Sequence, residues 1–394
     1  MAYALGANDA ANSMASAVGA KAITMRQAIF IAGIANFVGA AFLGAAVTST
    51  VAKGIIDPAQ ITDGNVMALG MFAALLAAGL FVLAATLFGL PVSSTHAIVG
   101  AIAGFGVLAA GWGVVQWDMM LIIVIGWVAT PFVAALISLV LALSIRRSLG
   151  SGPKVAKRIL EVVPIWMALV AIVVVLFLLE EVFPTLEATF AEIGLLAIVG
   201  ALIVYILGFR MLVDRHFVKE AHPEESVQES FSRLQIFTSA YISLAHGAND
   251  VANAFGPVLA IYLLAQQGFI PADAAVPLWV LVVGGAGIAL GIGTIGPRVI
   301  ETVGNNLTKL DNVRGFSADF TIATTVMGAS QLGLPVSSSH AAVGAITGTG
   351  LASGKRDLNL RLLGKIFVSW ILTVPIAALV TMGIYLVLEV IFLG

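Results

Sequence analysis

The stretch VPIWMALVAIVVVLFLL, Val163 to Leu179, holds no charged residue and shows no period-two alternation. A bilayer core offers no water to exposed backbone N–H and C=O groups, so a run of this kind satisfies its backbone there only as a helix. Comparable runs of about 20 residues, enough to cross a membrane, recur along the 394-residue chain, as in FVAALISLVLALSI from Phe132. A membrane β-barrel would instead alternate lipid-facing and lumen-facing residues. The expected fold class is an all-α polytopic membrane protein.

Charge and cysteine content narrow the function. Only 10% of residues are charged and the net charge is -2, which gives no basic surface for nucleic acid. There is no cysteine, so disulfides, thiolate metal sites and cysteine nucleophiles are excluded. The first 20 residues lack a basic start, and Asn8, Asp9 and Asn12 interrupt their apolar character, unlike a cleavable signal peptide.

The basic residues set an orientation, because Lys and Arg concentrate on the cytoplasmic side of membrane proteins. With Arg146, Arg147, Lys154, Lys157 and Arg158 cytoplasmic, all other Lys and Arg fall on the same side except Lys53. Asp57, Asp63, Asp118, Glu180, Glu181, Glu187, Glu192, Asp273 and Glu389 then lie outside, and both termini are external. This arrangement requires two helical hairpins, near residues 66–112 and 315–352, each entering and leaving on one side. Charge alone leaves open whether they cross fully or turn back.

The chain is internally duplicated. GLPVSSTHAIVGAIAGFG from Gly89 matches GLPVSSSHAAVGAITGTG from Gly333 at 14 of 18 positions, and GANDAANS (Gly6 to Ser13) returns as GANDVANA (Gly247 to Ala254). A weaker echo links WVATPFVAALISLVL from Trp127 with WILTVPIAALVTMGIYLVL from Trp370. The orientation above runs the first motif inward and the second outward, so the two repeats have inverted topology. Inverted repeats typify secondary transporters, whose sites lie near the midplane at the repeat interface. The expected organisation is a first repeat over residues 1–150, a connector over 151–232 with two spans and a polar cytoplasmic loop (DRHFVKEAHPEESVQES), and a second repeat over 233–394.

Polar residues repeated inside apolar surroundings require a reason, since burying them unsatisfied costs several kcal/mol. Pro91 and Pro335 disfavour continuation of the helices before them, and the hydroxyl residues that follow are good N-caps, so each marks a broken helix. Helix N-termini with hydroxyl donors suit an oxyanion such as phosphate or sulfate, which makes Ser93, Ser94, Thr95, Ser337, Ser338 and Ser339 candidate ligands. The plainer alternative is that these hydroxyls back-bond to carbonyls. His96 and His340 are possible supporting residues, equally suited to hold the hairpins as neutral imidazoles. Gly100, Gly104 and Gly106, with Gly344, Gly348 and Gly350, fit close helix packing better than ligand contact.

In the other motif, Gly6 and Gly247 can break a helix. Asp9, Asn12, Asp250 and Asn253 offer hard oxygens suited to Na⁺, and Asn8 and Asn249 add amides for the anion. No Lys or Arg falls inside a span. Two aspartates and a phosphate together would place three or four negative charges in a low-dielectric site, so coupling cations are expected. Protons that neutralise Asp9 or Asp250 are the alternative to Na⁺.

GANDAANSMASAVGAKAIT and HGANDVANAFGPV, with GLPVSSTH and GLPVSSSH, resemble the inorganic phosphate transporter family along nearly the whole chain. The resemblance implies phosphate symport driven by Na⁺ in many members and by H⁺ in many bacterial ones, an inverted-repeat fold and homodimerisation in the cell membrane. It carries the functional motifs onto Asn8, Asp9, Asn12, Asn249, Asp250 and Asn253, and onto Ser93 to His96 and Ser337 to His340. The first motif starts unusually near Met1, whereas LQIFTSAYISLAH precedes the second, so the first half-helix is expected to be truncated or to begin upstream. A sulfate permease of the same general family and an anion channel are the competing readings. An enzyme is not expected, since the serine motifs have no repeated basic partner, and no cofactor is implied beyond sodium as coupling ion.

Overall fold

The computed structural model describes residues 1–88, 92–150, 154–182, 190–214, 223–271, 275–304, 311–353 and 360–394. Fourteen α-helices account for nearly all of them: α1 (Ala2–Gly19), α2 (Met25–Leu43), α3 (Ala45–Lys53), α4 (Gly64–Leu87), α5 (Ser94–Ala110), α6 (Trp117–Leu149), α7 (Val155–Val182), α8 (Phe190–Asp214), α9 (Pro223–Gln267), α10 (Leu278–Thr294), α11 (Gly296–Gly304), α12 (Asn312–Gln331), α13 (Ser338–Ser353) and α14 (Leu360–Phe392). Among the described residues, seven helices are long and apolar enough to cross a membrane, including segments of α7 and α8 in the connector. The protein is a multi-pass membrane protein.

Two hairpins, α4–α5 and α12–α13, stand where the charge pattern requires them. Each begins behind a capping aspartate: Asp63 accepts from Asn65 N at 2.8 Å, and Asp311 accepts from Arg314 N at 2.9 Å. The α12–α13 turn contains Pro335, and its Gly333 takes a φ of 66°, a left-handed conformation that favours glycine. Pro91 lies outside the described residues. The tips touch each other: Thr95 Oγ1 donates to Val336 O (3.1 Å) and Ser339 Oγ to Val92 O (3.4 Å). Because all four residues are buried, the hairpins turn back inside the molecule.

The repeats interlock through helices that approach backbone to backbone. A Cβ at Gly100 of α5 would sit 2.6 Å from Val374 O of α14, and one at Gly344 of α13 would sit 2.2 Å from Pro131 O of α6. Each hairpin is therefore seated against the long helix of the opposite repeat. The motif helices are exchanged similarly: Gly6 of α1 faces the Ile288 carbonyl of α10, and Gly247 of α9 faces the Asn36 carbonyl of α2. Small residues permit this proximity, and dispersion between close backbones rewards it.

Two expectations need correction. Gly6 and Gly247 do not break their helices; α1 and α9 run unbroken through both motifs. Close packing against a neighbouring carbonyl, rather than a break, explains why neither position can carry a side chain. The interruptions fall elsewhere, at Gly44 between α2 and α3 and at Ile295 between α10 and α11. The polar segment in the connector is not a loop throughout either. From Pro223 it is the first turns of α9, where Ser226 and Ser230 are buried and Gln228 accepts from Asn312 N at 2.9 Å.

Candidate functional site

Helical spacing puts Asp9 and Asn12 on one face of α1, and Asp250 and Asn253 on one face of α9. The interlocked packing turns both faces toward the hairpin tips. Asp9, Asn249, Asp250 and Asn253 are buried with no exposure, and Asn8 with almost none.

The contacts repeat in pairs about an internal two-fold relation. Ser94 Oγ donates to Asp9 Oδ2 (3.1 Å), and Ser338 Oγ to Asp250 Oδ2 (3.4 Å). Asn12 Nδ2 donates to Ser339 Oγ (3.0 Å), and Asn253 Nδ2 to Thr95 Oγ1 (3.1 Å). Ser93 and Ser337 cap α5 and α13 by accepting from His96 N and His340 N. All six hydroxyl residues therefore stand at the two helix N-termini.

Asn253 shows what the cluster can hold. Thr95 uses its hydroxyl proton on Val336 O, so it must accept from Asn253, which fixes the amide orientation. Asn253 Oδ1 is left buried without a protein partner. An orphaned buried amide oxygen one helical turn from Asp250 is a hard donor, suited to a cation bound through oxygen.

Asn8 and Asn249 meet the hairpins rather than each other. Asn8 Nδ2 donates to Thr86 Oγ1 of α4 at 2.9 Å; Asn249 Nδ2 donates to Val336 O at 2.9 Å, and Asn249 Oδ1 accepts from Ser330 of α12. His96 Nδ1 lies 3.0 Å from Trp370 O, and His340 Nδ1 lies 2.9 Å from Trp127 O. A carbonyl can only accept, so each Nδ1 carries a proton and pins its hairpin to the opposite repeat. The rings stack with Trp127 and Trp370 and meet each other at 4.6 Å between centroids.

Among the described residues, the basic side chain set against the site's aspartates is neither Lys nor Arg. His246 Nε2 lies 2.8 Å from Asp250 Oδ2 and 3.9 Å from Asp9 Oδ2. Donor atoms of Asp9, His246 and Asp250 all lie within 4.8 Å of one another. Its Nδ1 meets Asn36 Oδ1, and that amide is oriented by donation from Asn36 Nδ2 to Ala32 O. The signal was in the sequence: SLAHGAND places His246 four residues before Asp250, one turn away on the same face.

Asp319 of α12 is a third buried carboxylate, one that the motifs do not include. It accepts from Ser239 Oγ at 2.8 Å and from Ser16 Oγ, joining α12 to α9 and α1. Repeat comparison conceals it, because the matching position of the first hairpin is Leu75. An ionisable residue inside a span is nonetheless a default candidate for function.

Inverted repeats, paired re-entrant hairpins and an acidic, hydroxyl-rich centre define a membrane transporter of the secondary type rather than an enzyme. The family is fixed by comparison: residues 5–381 match the phosphate transporter family, and the chain belongs to it. A protein of Pyrococcus horikoshii, provisionally named a phosphate permease, is 44% identical over 98% of this chain and 95% of its own length. The Arabidopsis thaliana inorganic phosphate transporter 2-1, chloroplastic, is 34% identical over 96% of this chain and 68% of its own. Among solved structures, "The sodium-dependent phosphate transporter" matches with a TM-score of 0.93 and 40% identity, covering 100% of this chain and 97% of that one.

Proposed function

We propose that this phosphate transporter is a sodium-coupled symporter that imports inorganic phosphate across the cell membrane by alternating access. One observation carries the reading: Asp9 and Asp250, one from each repeat, converge in a buried site closed by the serine tips of both hairpins. Asp9, Asn12, Asp250 and Asn253 bind sodium. Phosphate docks on Ser93, Ser94, Thr95, Ser337, Ser338 and Ser339 with Asn8 and Asn249 beside them, while His96 and His340 hold the hairpins.

Cations bind first. An anion entering beside two carboxylates is repelled strongly in low dielectric, and a sodium ion bound between them removes that repulsion. Ser94 and Ser338 then turn from the aspartates toward phosphate oxygens, joining the N-terminal amides of α5 and α13. The neutralised site is exposed to each side in turn by movement of the repeats, residues 1–150 and 233–394, about the connector, 151–232. Both termini are external, and the sodium-dependent structural relative supports the choice of ion. The protein acts as a homodimer, following the family.

His246 favours one second reading, proton coupling, because its contact with Asp250 can hold a proton in the same place. Phosphate uptake into proteoliposomes with Na⁺ and pH varied independently separates the two. Uptake that follows the sodium gradient at fixed pH supports sodium coupling. Uptake that follows only the pH gradient replaces it with proton coupling, and uptake indifferent to both contradicts symport altogether.

A further inference from the structure

His246 takes no part in the sodium and phosphate contacts assigned above, yet it stands among them. It precedes Asp250 by four residues on α9, is 2% exposed, and its Nε2 has no hydrogen-bond partner. Its tautomer follows from Asn36 of α2. Asn36 Nδ2 donates to Ala32 O at 2.8 Å, which turns Oδ1 toward the imidazole, and an amide oxygen can only accept. Nδ1 therefore carries the proton of the neutral ring. Nε2 is left to present a lone pair to Asp250 Oδ2 at 2.8 Å and to Asp9 Oδ2 at 3.9 Å.

A nitrogen lone pair is a poor ligand for a hard ion such as Na⁺ and a good one for zinc and its first-row neighbours. One imidazole and two carboxylates, with a fourth position open, make a familiar three-ligand zinc set. Zinc bonds of about 2.0–2.2 Å at tetrahedral angles hold ligand atoms roughly 3.3–3.6 Å apart. The two separations measured from His246 bracket that range, and the whole set lies within 4.8 Å. Asn36 supplies the outer partner that metal-bound histidines need on their other nitrogen, fixing the ring with Nε2 toward the carboxylates. A divalent ion also balances both carboxylates by itself, which matters in a low-dielectric site.

We propose that Asp9, His246 and Asp250 form a site for a divalent transition-metal ion of the zinc class, which competes with sodium and arrests phosphate uptake. The competition rests on the reading of Asp9 and Asp250 as sodium ligands; the metal site itself rests on the three donor atoms. A metal held there takes both carboxylates that sodium needs. Its bond to His246 is one that sodium does not make, so the divalent ion stays where sodium would leave.

The probes are Co²⁺ and Zn²⁺, added to purified protein without an affinity tag, in choline at fixed pH and without phosphate. Co²⁺ should give the intense visible bands of a four-coordinate ion, and rising Na⁺ should extinguish them. His246→Gln should lose the bands. Asn36→Ala keeps all three ligands and should weaken zinc binding, read by calorimetry, about 10–100-fold, the usual cost of removing the outer partner of a metal ligand. In proteoliposomes, Zn²⁺ should raise the half-saturating Na⁺ for phosphate uptake and leave uptake at saturating Na⁺ unchanged. Co²⁺ that keeps the weak spectrum of the hydrated ion, bands that survive in His246→Gln, or wild-type zinc affinity in Asn36→Ala overturns the metal site. The wild-type spectrum decides the matter alone if a variant fails to fold. Uptake indifferent to Zn²⁺ overturns the arrest. Bands that Na⁺ does not diminish, in protein whose phosphate binding still requires Na⁺, overturn the competition and the sodium assignment beneath it while leaving the metal ligands in place.

Discussion

Thr95 spends its one hydroxyl proton within the protein. Its hydroxyl donates to Val336 O of the facing hairpin and accepts from Asn253 of α9, tying three elements through one atom. Thr95→Val keeps the shape and leaves the buried Asn253 amide donor unpaired, which costs about 1–3 kcal/mol, while Val336 O keeps its bond from Asn249. It should lower the thermal midpoint of the purified protein, and Thr95→Ser should not. Asp250→Asn separates charge from shape more directly: the chain should fold, and sodium-driven phosphate uptake should be lost. Unchanged sodium dependence in that variant would show that Asp250 is not a coupling residue. Such chemistry was legible in the sequence where it is duplicated, as for Asp9 with Asp250 and Ser94 with Ser338. It was missed where only one repeat carries it. His246 stands opposite Leu5 in the motif alignment and Asp319 opposite Leu75, so symmetry gives neither any weight, although the imidazole is the base that the charge balance lacked. The amide of Asn36 that orients His246 lies outside every motif, and only the packing of α2 on α9 brings it there.

At the scale of elements, the hairpins were legible because charge pattern, proline and hydroxyl N-caps agree on them. The glycines of the Asn-Asp motifs were misread because sequence alone does not separate a glycine that interrupts a helix from one that admits a neighbour. Gly344 tests the second role on α13. Its Cβ would lie 2.2 Å from the Pro131 carbonyl oxygen, a backbone atom that cannot turn aside. Gly344→Ala must push α13 off α6, an overpacking effect of about 1–3 kcal/mol, read as a lower midpoint in thermal denaturation in detergent. Gly383→Ala in α14 is the control. Nothing lies within 4 Å of a Cβ there, and alanine's better helix propensity makes the change neutral or slightly stabilising. Equal effects at the two positions would mean that the interlock of hairpin and long helix does not depend on close approach.

At the scale of the whole molecule, the two repeats exchange parts: each motif helix and each hairpin is seated on helices of the other half. A site built in this way belongs to neither half, so loss of either aspartate should disable it. Duplication and inversion could be read from sequence. The exchange could not, because no local pattern records which distant helix receives a glycine face. The decisive measurement is phosphate binding to the purified protein by titration calorimetry, in sodium and in choline at one pH, for the wild type, Asp9→Asn and Asp250→Asn. We predict binding that requires sodium in the wild type and fails in both variants, each of which remains folded and monodisperse. Phosphate binding that is equally tight in choline, or that survives in one of the two variants, would contradict a single sodium-dependent site composed by both repeats.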